Sequence, residues 1–129
     1  MRFTTIYSDE QGETHFGFDD VPEKSLAIGP PPNPPGQMCD LGSVSNMRII
    51  AFPAGTLAPA HNAPEPYFCI ILSGEGEVIT SDGQARRFHA GDLLVCNDLT
   101  GKGHVTRAIT SLTLSFVTRT NPNLTRIIE

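Results

Sequence analysis

Apolar and polar positions alternate with a period of two in seven stretches: Thr14 to Phe18, Met47 to Phe52, Phe68 to Leu72, Glu77 to Thr80, Asp92 to Cys96, Val105 to Ile109 and Leu112 to Val117. A strand sends successive side chains to opposite faces, so this period predicts strands with one face toward a core. Turn chemistry interrupts the pattern at short intervals, at Gly55, Gly74, Ser81-Asp82-Gly83, Ala90-Gly91-Asp92 and Thr100-Gly101-Lys102-Gly103. Short strands in that rhythm predict an all-β sandwich or barrel. β-Branched residues and glycines break every candidate helix of about ten residues, so any helix is expected to be short.

Two segments precede the barrel core. Ile28 to Gly36 reads IGPPPNPPG, and proline has no amide to donate to a central ladder, so a surface loop or flap over the barrel mouth is expected. Met1 to Val21 is expected to supply one or two edge strands, paired within the barrel or with a second copy in a homodimer. The chain then divides into an N-terminal arm with the Pro-rich loop (1–46), a barrel core (47–118) and a C-terminal tail (119–129) of a single domain.

Composition narrows the function. A chain of 129 residues, 39% hydrophobic and 18% charged, can bury its own core. A net charge of −5 with 9 Lys plus Arg argues against a nucleic-acid partner, whose affinity rests on clustered cations. No run approaches the roughly 18 apolar residues of a bilayer span, and the N-terminus is polar, so the expectation is a cytoplasmic protein with no membrane partner. Cys39, Cys69 and Cys96 are odd in number and lack metal-ligand spacing, which reads as reduced thiols.

The run Gly55-Thr56-Leu57-Ala58-Pro59-Ala60-His61-Asn62-Ala63, followed by Tyr67 and Gly74, has the spacing of a cupin first motif: Gly, five residues, His-x-His, three or four residues, Glu, six residues, Gly. Ala90-Gly91-Asp92-Leu93-Leu94-Val95, followed by His104, is similar to the second motif. Over residues 47 to 118 the chain thus resembles the cupin superfamily, and the resemblance implies a double-stranded β-helix, a jelly-roll barrel. It also implies a divalent metal held by three histidines and a glutamate, at positions that here carry His61, Ala63, Tyr67 and His104. Asn97 stands where the family has proline, and the turn to His104 is longer than the pattern. His61-Asn62-Ala63-Pro64 and Thr100 to His104 look like a subset of short cupins whose activities are mostly unassigned.

With that register, His61, Ala63, Tyr67, Cys69 and Ile71 are expected to point into one cavity, faced by His104, Thr106 and Ala108. The candidate catalytic residues are His61 and His104 as acid/base groups and Tyr67 as hydrogen-bond donor or relay; Glu65, Cys69, Ile71 and Thr106 are candidate substrate contacts. The leading expectation is a metal-independent isomerase, cyclase or lyase without a cofactor, acting on a carbonyl-containing or polyene small molecule. The alternatives are an oxygenase-like cupin binding Fe, Mn, Zn or Ni through His61, His104 and Glu65, and a non-catalytic ligand-binding module.

Each residue has a plainer reading. His61 could bond a backbone carbonyl, Tyr67 could be a core aromatic, and Glu65 between two prolines could be a solvated turn residue. His15 and His89 are expected to face outward, since Phe16 and Phe88 take the inward positions. Cys69 and Cys96 read as small buried apolar residues. Thr100 to Gly103 lacks the full spacing of a phosphate loop and reads as a turn, with its glycines leaving the approach to His104 adjustable.

Overall fold

The alternating stretches all become strands. In the computed structural model, which describes residues 1–120 and 126–127, these are β1 (Arg2–Ser8), β2 (Thr14–Asp20), β3 (Lys24–Ala27), β4 (Pro35–Met38), β5 (Val44–Phe52), β6 (Leu57–His61), β7 (Tyr67–Ser73), β8 (Glu75–Thr80), β9 (Ala85–His89), β10 (Leu93–Cys96), β11 (His104–Ala108), β12 (Leu112–Arg119) and β13 (Arg126–Ile127). No helix forms among the described residues. The rest of the expected C-terminal tail beyond Thr120 lies outside them.

A seven-stranded sheet runs β13-β2-β1-β10-β7-β12-β5, and a four-stranded sheet runs β6-β11-β8-β9. Their inward faces share one core, with Ile6, Leu94, Cys69, Ile71, Leu112 and Leu114 from the large sheet and Val78, Phe88 and Ala108 from the small one. This is the all-β jelly-roll barrel that the alternation and the motif spacing predict. Residues two apart on β7 and β12 serve that core, as the two-residue period requires.

The N-terminal segment pairs within the barrel, though not as an edge. β1 lies between β2, antiparallel, and β10, parallel, with Ile6 opposite Cys96. Ile6 is about 1% exposed, so the first residues are part of the core itself. The Pro-rich segment turns the isolated ribbon of β3 and β4, with Pro35 and Gly36 inside β4 opposite Ala27 and Leu26. Proline is tolerated in this outlying ribbon because the ribbon joins neither sheet. The ribbon is exposed and lines neither of the cavities described below, which corrects the expectation of a flap over the mouth. At the far end of the large sheet β5 is an open edge, and its outward residues Met47 and Ile49 are exposed.

Candidate functional site

β6 ends at His61 and β11 begins at His104, and their antiparallel register sets the two directly opposite each other. The ring centroids are 4.6 Å apart with the planes tilted by 56°. Gly103 permits the approach: its φ is +73°, and a Cβ there would overlap the backbone carbonyl of His61. A register shift between His104 and Thr106 bends β11 at this point, as bulges beside functional sites commonly do.

The connection from β10 to His104 is tethered on all sides. The Asn97 amide donates to the Ile6 carbonyl, the Ala63 amide to the Asp98 carbonyl, and the Lys102 amide to the Gly12 carbonyl, at 2.8, 3.0 and 2.8 Å. The Asn62 side-chain amide donates to Gly101 at 3.0 Å, and the Thr14 hydroxyl to Gly103 at 2.6 Å. The loop expected to be adjustable is therefore fixed. Its left-handed glycines, Gly101 at φ +86° and Gly103, serve close backbone contact instead.

This loop also carries a residue the sequence reading passed over. Asp98 is fully buried, and its Oδ2 lies 2.5 Å from His104 Nδ1. A carboxylate accepts, so Nδ1–H donates to it and Nε2 is the ring nitrogen left toward the cavity. His104 is 3% exposed. His61 sits at the mouth, more exposed than its partner, and donates from Nδ1 to the Pro59 carbonyl at 2.8 Å. A carbonyl cannot donate, so His61 too is left with a free Nε2. Asp98 Oδ1 has no hydrogen-bond partner among the described residues, so the buried carboxylate serves the imidazole alone.

His61, Tyr67, Cys69, Ile71, His104 and Thr106 all line an inner cavity of about 70 Å³, otherwise walled mostly by apolar side chains of both sheets, with Glu77 the one charged residue among them. Ala63 and Ala108 are buried in the core without lining it, which corrects the expectation that they face the cavity, and the Ala63 amide donates instead to the Asp98 carbonyl. The inner space opens past His61, Tyr67 and Phe116 into an outer chamber of about 260 Å³ that contains Arg48, Glu65 and Thr118. Glu65 belongs to this outer chamber: it is exposed, and its Oε1 accepts from the Thr118 hydroxyl at 3.0 Å.

Tyr67 is buried and meets Phe116 edge-on, with centroids 5.0 Å apart. Burial, reinforced by the nearby Cys96 and Cys69 thiols and Asp98, pushes its phenol far above the ordinary value, so it can donate a hydrogen bond but not serve as a base. Burial likewise pushes the Cys69 thiol up to about 12 and the Cys96 thiol well above its usual value. Neither is a nucleophile at neutral pH. His89 is exposed as expected; His15 is half-buried and held between two carboxylates, Asp9 at 2.7 Å and Asp82 at 2.9 Å.

The residues present do not fit the metal of the resemblance. Of its four positions only His61 and His104 offer donors; Ala63 has none, the Tyr67 phenol stays neutral, and Glu65 is engaged by Thr118 in the outer chamber. Among the described residues no three His, Cys, Asp or Glu side chains converge as a metal site.

A barrel of two facing sheets with a histidine-lined interior defines a cupin-type small-molecule pocket. The chain belongs to the EutQ-like cupin domain family, whose model matches residues 47–111, just over half of the sequence. Among solved structures it is similar to a conserved Streptococcus pyogenes protein of unknown function, at 17% identity and a TM-score of 0.50, with 80% of this chain and 77% of that one covered. It is also similar to an RmlC-like cupin protein from Desulfovibrio desulfuricans, at 21% identity and a TM-score of 0.45, with 74% and 79% covered. No curated protein matches the chain in sequence.

Proposed function

We propose that the pocket is a metal-independent acid/base site of an isomerase, cyclase or lyase acting on a small carbonyl-containing or polyene molecule. The observation that carries this reading is the pair of facing imidazoles, each with Nδ1–H committed, to Pro59 and to Asp98, and each with Nε2 free at the cavity. His104 takes a proton at Nε2 from a carbon next to the substrate carbonyl, and buried Asp98 stabilises the imidazolium that results. Tyr67 donates toward the developing oxyanion, and His61, at the mouth with Nε2 unprotonated, can exchange protons with water. The apolar walls keep water from competing for the intermediate.

The same outer hydrogen bonds also occur around metal-bound histidines, which keeps a two-histidine metal site as the second reading. Metal analysis of protein purified without an affinity tag separates the two. Activity that survives chelation and falls about 10²- to 10⁴-fold in His104→Ala supports the proposal. Stoichiometric iron, manganese, zinc or nickel, with activity lost on chelation, overturns it. Ligand affinity with no turnover of any carbonyl compound tested would make the protein a binding module instead.

A further inference from the structure

Arg48 lies on β5, where its Cα is opposite that of Phe116, and alternation gives it the same face as Ile50 and Phe52. Phe52 and Phe116 line the inner cavity, so this is the barrel's interior face, and the Arg48 side chain reaches the outer chamber beside His61 and Tyr67. Arg48 is exposed to the mouth and forms no hydrogen bond or ion pair among the described residues. That sets it apart. Arg2, Arg87, Arg107 and Lys102 each face a carboxylate, as expected for a chain of net charge −5 with acidic side chains in excess. The one carboxylate in the chamber, Glu65, takes its hydrogen bond from Thr118 instead.

We propose that Arg48 is an anchor for the carboxylate of a small amphipathic acid, whose short apolar tail enters the inner cavity past the histidine pair. The inference rests on the pocket being a small-molecule site and names the substrate class. A planar guanidinium matches a carboxylate with two parallel N–H donors, and partial desolvation beside Tyr67 and Phe116 strengthens that pairing. One guanidinium near Glu65 balances a monoanion better than a dianionic phosphate. Beyond the two histidines, Tyr67 and Thr106, the one charged residue of the inner walls is Glu77, whose carboxylate is paired with Arg107 at 2.8 Å, and the rest is mostly apolar, so the hydrocarbon part belongs there. The space of about 70 Å³ holds on the order of five water-sized groups, which limits the tail to a few carbons. His61 lines both chambers, so the carbon that reacts lies between the anchored carboxylate and the tail.

Calorimetric titration with hexanoate and its uncharged counterpart hexanamide tests this. Wild-type protein is expected to bind hexanoate more tightly than hexanamide. Arg48→Gln should weaken hexanoate about tenfold, while hexanamide affinity stays unchanged and so reports an intact pocket. Arg48→Lys, which keeps the charge without the fork, should fall between. Equal wild-type affinity for the two probes, hexanoate affinity untouched by Arg48→Gln, or no hexanoate binding at all overturns the anchor. Hexanoate does not react, so its binding reads the anchor alone, whereas the acid/base reading fails separately, through turnover that survives His104→Ala.

Discussion

A lone imidazole in a barrel can be an ordinary core residue; His104 has a fully buried carboxylate, Asp98, on its Nδ1. A carboxylate buried beyond the reach of water costs several kcal/mol unless its charge is used, and here it is spent on one ring nitrogen. Asp98→Asn preserves the shape but replaces the acceptor with an amide that can donate to Nδ1, moving the imidazole proton to Nε2 and removing the base. The expected outcome is a loss of about 10²- to 10⁴-fold in kcat with KM little changed, and a stability cost of about 1–3 kcal/mol. Steady-state kinetics beside thermal unfolding checks both. A variant that keeps full kcat would reduce Asp98 to a structural residue.

Elements bring these residues together, and here the sequence was legible to different depths. The period of two foretold β2, β5, β7, β8, β10, β11 and β12, and the motif spacing placed His61 and His104 on one cavity. Asp98 was hidden because it lies in the irregular stretch 97–103, where no period assigns a side chain to a face; the long turn and the missing proline at Asn97 were the only signals there. Arg48 was within reach, since the alternation through Ile50 and Phe52 already sent it inward, but an arginine in a strand invites the solvated reading. The tethers of the β10–β11 connection come from positions as distant as Ile6, Gly12 and Thr14, so no local pattern could reveal its rigidity. Gly103 is the sharpest test at this scale. Gly103→Ala adds a Cβ into the His61 carbonyl at a positive φ, and is expected to destabilise the protein by about 2 kcal/mol or more while separating the two rings. Denaturant unfolding reads the first effect and loss of ligand binding the second. Gly83, whose Cβ would meet nothing within 4 Å, is the matched control for the cost of a positive φ alone.

Across the whole molecule, His15 is the group through which pH is expected to act on the barrel. It joins the β1–β2 hairpin, by Asp9, to the β8–β9 turn, by Asp82, and both ring nitrogens face carboxylate oxygens. The hydrogen bond to Asp9, with Asp82 adding to it, raises the His15 pKa above its ordinary 6.5, while the same contacts help hold Asp9 and Asp82 below the usual carboxylate value. A raised pKa in the folded state contributes stability that is complete below about 6.5 and is lost as pH rises through the folded value. The lowered carboxylates act in the opposite direction, contributing above their ordinary value of 3.8 and less as pH falls. Thermal unfolding between pH 5 and pH 9 should therefore show a wild-type advantage over His15→Gln at the acid end of the histidine range that shrinks above it. Parallel curves for the two proteins would remove His15 from the pH response.

The facing imidazoles depend most directly on which ring nitrogen carries the proton. Long-range proton–nitrogen NMR of the metal-free protein under basic conditions that leave both rings neutral should find His61 and His104 protonated at Nδ1, with Nε2 unprotonated and shifting when a ligand fills the cavity. A proton resident on Nε2 of His104, or an Nε2 signal at either ring that ignores a bound ligand, would contradict the site.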